Sequence, residues 1–196
     1  MTDWMQDVAG ASRGDAPAIE ALLQRHLPKL RAFVRLRMGR DLRAKESASD
    51  LVQSTCREVL EHAGRFRHGD EAGFRHWLFT EALRKIHNRV AFYRAAKRDV
   101  GREVAADLDA GELAATYADL DTPSAALSLK ERVAQFEAAF DRLTDEHREV
   151  ITLARIVGLS HRQIGEVMGR SETASRMLLY RALADLAAEI ERADTR

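Results

Sequence analysis

Cysteine, proline and glycine are all scarce in this chain. A single cysteine, Cys56, among 196 residues excludes an intramolecular disulfide framework and any multi-cysteine zinc cluster, and it suits a reducing compartment. Three prolines and eleven glycines leave few breaks, and apolar residues do not alternate with period two, so helices are expected to dominate. No apolar run approaches the roughly 20 residues that span a bilayer, so membrane insertion is not expected. Net charge is missing as well: 31 Lys and Arg balance 31 Asp and Glu, and any asymmetry must be internal. The opening Met1-Thr2-Asp3-Trp4 carries an acid where a signal peptide has a basic stretch, which predicts a soluble cytoplasmic protein. What remains is globular in balance, 45% hydrophobic and 32% charged, enough to bury roughly 70% of the unfolded surface in one domain or two small ones.

Apolar residues at Ile19, Leu22, Leu23, Leu27, Leu30, Phe33, Val34 and Met38 recur at helical steps, with Pro28 expected to mark a kink or a new first turn. A second helix is expected from Ser49 or Asp50, either of which can cap it, through Val52, Cys56, Val59, Leu60 and Ala63. Cys56 falls on that apolar face and reads as a small buried hydrophobe. A third begins near Glu71 and carries Phe74, Trp77, Leu78, Ala82, Ile86 and Tyr93, so three helices can close a bundle.

Charge then divides the chain. Residues 84 to 102 hold seven bases (Arg84, Lys85, Arg89, Arg94, Lys97, Arg98, Arg102) against one acid, Asp99. Residues 103 to 121 hold six acids (Glu103, Asp107, Asp109, Glu112, Asp119, Asp121) and no base. This reversal, ended by Thr122-Pro123-Ser124, predicts a linker or loosely held helix over 103–126, between a first domain over 14–102 and a second over 127–192. In the second, Leu129, Val133, Phe136, Phe140 and Leu143 stripe one helix; Val150, Ile151, Ala154 and Val157 stripe the next, capped by Thr144 and ended by Gly158. The expected fold class is all-α, two small helical bundles joined by an acidic linker.

Residues 160 to 183 carry the sharpest signal. Ser160 and Gln163 have capping-box spacing, Ile164, Val167 and Met168 form an apolar face, and Gly169 supplies the positive φ of a tight turn. A second helix starts at Ser171, with Leu178, Ala182 and Leu186 inward; the small Gly165 sits where the two helices approach. This is a helix-turn-helix pattern, whose second helix enters the major groove by its N-terminal half. Its outward residues are Ser171, Glu172, Thr173, Arg176, Met177 and Tyr180, with Arg181 near the backbone. Arg176 can donate two hydrogen bonds to guanine, Glu172 can accept from cytosine, and Arg162 and Arg170 can hold phosphates. Ser175 stands where this motif packs an apolar side chain inward.

A second constellation lies in the first bundle. Phe66, Phe74, Trp77, Phe79, Phe92 and Tyr93, half of the chain's twelve aromatics, fall beside the basic run. Cations track phosphate and aromatic rings stack on unpaired bases, a combination suited to single-stranded or melted DNA, although Phe74 and Trp77 at helical spacing also suit a core.

These motifs and their order resemble the sigma-70 family of RNA polymerase sigma factors, in its two-domain extracytoplasmic-function group. The resemblance spans about residues 14 to 192 and is carried by Asp50-Leu51-Val52-Gln53, Phe74-Arg75-His76-Trp77-Leu78 through Ala82, and Leu143 to Leu186. It implies that the first bundle binds the β′ clamp of core RNA polymerase and opens the minus-10 promoter element. The second bundle, by the same resemblance, reads the minus-35 element and touches the β flap. By position, Asp50, Gln53, Arg57 and Glu58 would face the polymerase, while Trp77, Phe79, Arg84, Lys85, Asn88, Arg89, Arg94 and Lys97 would lie on or near DNA. An anti-sigma factor is a further partner the resemblance allows. Glu81 departs from the family's apolar residue and needs a cation such as Arg84 or Lys85; Arg84, Asn88 and Ala174-Ser175 depart too, which marks a divergent subgroup.

The seven histidines are scattered, and no phosphate-cradling glycine loop or nucleophile setting appears, so an enzyme is not expected, nor any cofactor or metal. His62 and His68, near Glu58 and Asp70, read as surface polar residues. The main alternative is a helix-turn-helix DNA-binding regulator that does not act as a polymerase subunit; a purely structural helical adaptor is the third reading.

Overall fold

The computed structural model describes residues 3–66, 70–95, 108–118 and 128–194, and every regular element among them is helical. The chain forms two compact units, residues 1–107 and 108–196. No described helix is long and apolar enough to cross a membrane.

In the first unit, α1 (Asp3–Ala11) packs on α2 (Ala16–Arg43), and α3 (Ala48–Glu61) and α4 (Glu71–Ala95) complete the bundle. The expected break at Pro28 does not occur. Pro28 lies on the exposed side of α2, where water can satisfy the carbonyl its missing N–H leaves free, and the break comes instead at Gly39, with φ +65°. The cap of α3 also differs from expectation: Ser47, rather than Ser49 or Asp50, accepts from the Asp50 N–H at 3.1 Å. Asp70 performs the same service for α4, accepting from Gly73 N–H at 2.6 Å. Phe33, Phe66, Phe74, Leu78 and Ile86 fill the core, with Phe66 and Phe74 edge to face at 5.5 Å. Cys56 is half-buried rather than buried, and loss of solvent pushes its thiol pKa up, away from reactivity.

The second unit contains α5 (Ala110–Tyr117), α6 (Leu129–Arg142), α7 (Asp145–Ile151), α8 (His161–Met168) and α9 (Glu172–Asp194). Where an acidic linker or loosely held helix was expected, α5 is a helix packed on α6. Asp109 caps it by accepting from Glu112 N–H at 2.7 Å, and Leu113, Ala114 and Tyr117 are buried, Tyr117 stacked on Phe136 at 4.6 Å. One apolar face outweighs the charge of the segment; residues 103–107 and 119–126 of that stretch lie outside the described residues. After α7 the chain winds more widely over Thr152–Val157, where Thr152 Oγ1 donates to the Arg148 and Glu149 carbonyls, and Gly158 ends the run with φ +77°.

Candidate nucleic-acid interface

The helix-turn-helix is built as its caps and turn predict, but of the expected apolar face of α8 only Ile164 is buried: Val167 is exposed and Met168 half-buried, because one turn of the short helix is enough to seat it on α9. Ser160 Oγ accepts from Gln163 N–H at 3.3 Å, and Gln163 Oε1 accepts in return from Ser160 N–H at 2.9 Å, so two free donors of α8 are satisfied together. Gly169 turns the chain with φ +66°. Ser171 Oγ then caps α9, accepting from Ala174 N–H at 3.1 Å. A side chain at Gly165 would put its Cβ 2.5 Å from the Arg170 carbonyl oxygen and 3.3 Å from Ser175 Oγ, so only glycine lets α8 and the start of α9 meet. Ser175 packs inward at 0% exposure, and its hydroxyl donates to the Ser171 carbonyl at 3.0 Å. That bond explains how a polar residue occupies an apolar place: the hydroxyl is satisfied within its own helix.

With Leu178, Ala182 and Leu186 inward, the opposite face of α9 is left to solvent. It presents Glu172, Thr173, Arg176, Met177, Tyr180 and Arg181, all exposed, with Tyr180 at 72%. Arg176 Nη2 lies 3.2 Å from Glu172 Oε1, one turn away. Arg181 Nε donates to the Met177 carbonyl at 3.4 Å. Arg162 is exposed at the start of α8, 4.0 Å from Glu166, and Arg170 is paired with Glu146. The structure therefore brings Glu172, Thr173, Arg176, Met177, Tyr180 and Arg181 together on one exposed face of α9, while Arg162 and Arg170 lie on α8 and in the turn before α9.

The first unit brings together only part of its set. Phe79 is 3% exposed and meets Phe33 edge to face at 4.9 Å, so it belongs to the core and not to a DNA-facing surface. The α4 face that buries Phe74, Leu78 and Ala82 sweeps far enough round to include it. Trp77 is half-buried, one face stacked on Phe66 at 5.5 Å. Arg84 is exposed but donates to Glu58 Oε1 at 2.6 Å and also pairs with Glu81, the cation that residue was expected to need. Lys85 reaches the Glu58 carboxylate at 2.9 Å and the Ser54 carbonyl at 3.1 Å. Its hydrogen bond is the main reason the Glu58 carboxyl sits below its ordinary pKa. Glu58 thus turns toward α4, and Asp50, Gln53 and Arg57 form the exposed edge of α3. Further along α4, Asn88 and Arg94 are exposed, and Lys97 lies outside the described residues, as does His68.

Sequence reasoning missed Glu46. It holds Arg89, whose guanidinium pKa it raises by hydrogen bonding, and also accepts from Tyr93 Oη at 2.8 Å. Nothing in the sequence signals this, because the partners are 43 and 47 positions away.

Comparison with known proteins agrees with this architecture. Sigma-70 region 2 matches residues 22–99, and Sigma-70 region 4 matches residues 134–186. The RNA polymerase sigma factor NccH of Alcaligenes xylosoxydans xylosoxydans is 30% identical over 195 residues, covering 97% of this chain and 98% of its own. The chain belongs to the sigma-70 family, in its extracytoplasmic-function group. This sigma factor is also similar to the RNA polymerase sigma factor CarQ of Myxococcus xanthus, at 29% identity over 91% of this chain and 94% of that one. Its fold is similar to that of CnrH solved in complex with the cytosolic domain of CnrY, with a TM-score of 0.58, 25% identity, and coverage of 96% of this chain and 97% of that one. As a sigma factor it works in transcription initiation, with RNA polymerase and promoter DNA as its partners. The boundaries of the two family matches fall within the two compact units, with α5 between them.

Proposed function

We propose that this sigma factor reads the minus-35 element with the exposed face of α9 and engages the minus-10 element with the later half of α4, acting in the cytoplasm as a non-catalytic polymerase subunit. The observation that carries the reading is the seating of α9. Its inner side is fixed against α8 by Gly165 and Ser175, while Glu172, Thr173, Arg176, Met177 and Tyr180 stand free of that packing. A recognition helix needs this: a fixed angle of entry and outward side chains near its N-terminus. Ser171 and the N–H groups beyond it supply a phosphate site, with Arg162, Arg170 and Arg181 flanking.

In the first unit Asn88 and Arg94 face the minus-10 DNA; Trp77, Arg84, Lys85 and Arg89 stand at the margin of that face because each also holds the bundle together. Lys97 is a further DNA contact by its place in the basic run of the sequence. The exposed edge of α3, with Asp50, Gln53 and Arg57, docks on the β′ clamp, and the second unit touches the β flap. The domain assignment we adopt is 14–102 for the first functional domain and 127–192 for the second, with α5 a satellite of the latter. An anti-sigma partner is supported by the likeness to CnrH, which was solved with a bound cytosolic domain of CnrY.

Transcription in vitro from a genomic fragment library, with bacterial core polymerase in the presence and absence of the protein, tests the reading. New transcripts sharing two upstream elements are expected. Without new initiation, when the same core is active with another sigma factor, the promoter-reading roles are wrong; tight binding to duplex by the protein alone would then favour the independent regulator.

A further inference from the structure

Arg170 immediately precedes Ser171, the cap of α9, where a backbone phosphate would meet the first N–H groups of that helix. Its backbone is held from both sides: the Arg170 N–H donates to the Gly165 carbonyl at 2.8 Å, and a Cβ on Gly165 would come within 2.5 Å of the Arg170 carbonyl oxygen. Only the side chain is left to move, and its Nη2 donates to Glu146 Oε1 on the first turn of α7, 24 positions earlier. That turn is itself ordered. Thr144 Oγ1 accepts from His147 N–H at 3.2 Å, and His147 Nδ1 lies 3.0 Å from Asp185 Oδ2 of α9. The Arg170 and Glu146 side chains are 36% and 46% exposed, so DNA can reach the pair. Arg176 and Arg162 also face carboxylates, Glu172 at 3.2 Å and Glu166 at 4.0 Å, but those anions belong to the helix-turn-helix, and Glu172 has a base to read. Glu146 comes from outside the motif and has no such task.

We propose that Glu146 limits the affinity of this sigma factor for promoter DNA by competing with a backbone phosphate for Arg170. The inference rests on the assignment of α9 to the minus-35 element and adds to it a residue that opposes binding. One guanidinium cannot serve both anions in full. Either it stays with Glu146 and the phosphate contact is forfeited, or it moves to the phosphate and leaves a carboxylate beside a polyanion. Both outcomes weaken binding by an amount set by charge and not by base sequence. Because the pair is exposed and screened, the penalty is modest, of a size that tunes affinity without abolishing it. An orienting role, in which Glu146 aims Arg170 at the phosphate, has the opposite sign.

The test uses holoenzyme assembled from full-length protein and core polymerase, with a promoter found by the library transcription above. Fluorescence anisotropy across a salt series measures binding to a short duplex carrying the minus-35 element and to a scrambled duplex of the same length. Wild type, Glu146→Gln, Arg170→Ala and the double variant are compared, with core polymerase alone as background. Glu146→Gln should tighten both duplexes about fivefold at low salt, with a salt slope steeper by about 0.9. With Arg170 already replaced by alanine, the same change should tighten binding by no more than about twofold, the part due to repulsion alone. Circular-dichroism melting of Glu146→Gln should stay close to wild type, because the pair is exposed. Weaker binding by Glu146→Gln overturns the proposal, since the carboxylate would then be aiming Arg170 at DNA, and unchanged binding overturns it too. So does an equal gain with and without Arg170, which would mean general repulsion, or a gain on the minus-35 duplex alone, which would make Glu146 a reader of sequence. If wild-type holoenzyme does not prefer the minus-35 duplex to the scrambled one, the assignment of α9 fails first and the proposal with it.

Discussion

Arg89 and Glu46 join the end of α4 to the turn between α2 and α3, with Arg89 Nε 3.0 Å from Glu46 Oε2 across 43 positions of sequence. The same carboxylate oxygen takes the Tyr93 hydroxyl, so one anion fixes two residues of the basic segment. A cation expected to be available for DNA is thereby part of the scaffold, oriented before any DNA arrives.

That pairing predicts measurable coupling. Glu46→Gln keeps the shape and removes the charge, leaving Arg89 without its anion and Tyr93 with a weaker acceptor. Because Arg89 is more than a third exposed, solvent screens the pair and the loss should be about 1 kcal/mol, well short of a fully buried ion pair. Urea denaturation of wild type, Glu46→Gln, Arg89→Ala and the double variant closes the cycle. A coupling of about 1 kcal/mol is expected; strict additivity would mean water, not Glu46, holds the guanidinium.

Two glycines of the helix-turn-helix should fail differently. Gly165→Ala forces a methyl to within 2.5 Å of the Arg170 carbonyl oxygen, which is pinned because Arg170 N–H in turn donates to the Gly165 carbonyl at 2.8 Å. Overpacking against backbone should cost about 2 kcal/mol and swing α9 away from its binding angle. Gly169→Ala meets nothing within 4 Å but must hold φ +66°, so its cost is conformational and about 1 kcal/mol. Thermal melts should rank Gly165→Ala below Gly169→Ala. The reverse order would show that α8 and α9 do not meet as closely as this.

The contrast explains what was legible in the sequence. Caps and turns depend on residues three or four apart, so the Ser160–Gln163 box, the Thr144 cap and the turns at Gly158 and Gly169 were readable directly. The apolar stripes of α6 and α9 were readable for the same reason, except at Leu129, which is exposed at the first turn of α6. Phe79 was misplaced because its aromatic type and its basic neighbours suggested DNA, whereas the inward face of α4 is wide enough to bury adjacent Leu78 and Phe79 together. Over α5, a count of acids concealed Leu113, Ala114 and Tyr117 on one face. Pro28 misled because a proline signals a break without saying which side of the helix faces water. The ties from Glu58 to Arg84 and Lys85, and from Glu46 to Arg89, link distant positions and have no local signature.

Acid should weaken the first unit through His26. Burial between α2 and α4 pushes this imidazole from its ordinary 6.5 down to about 4, with Arg75, Arg25 and Lys29 acting in the same direction and Glu71 against them. Its Nε2 lies 3.3 Å from Glu71 Oε1 without forming a hydrogen bond, and its ring sits 5.9 Å from that of Phe74. The unfolded chain therefore binds a proton near pH 6.5 that the folded chain refuses until about pH 4. Stability should be complete above about pH 6.5 and fall by up to about 3 kcal/mol as the pH drops to about 4. Urea midpoints measured across that window should slope for wild type and flatten for His26→Gln. A wild-type slope that survives the substitution unchanged would assign the acid sensitivity to other groups.

Arg176 offers the sharpest test of promoter reading. In the free protein its guanidinium is 3.2 Å from Glu172, so both side chains stand on the same exposed face, one helical turn apart. A guanine in the major groove competes for that guanidinium with two acceptors in its plane, and a cytosine amino group can then satisfy Glu172. Arg176→Ala should cost about 1 to 3 kcal/mol at one minus-35 position and relax base preference there, leaving other positions nearly unchanged. Arg176→Lys keeps the charge and loses the planar fork, so it should recover affinity for all sequences alike without recovering the preference. Holoenzyme binding to a panel of single-base variants of the minus-35 element separates the outcomes. Uniform weakening across the panel, with a salt slope shallower by about 0.9, would make Arg176 a phosphate contact instead.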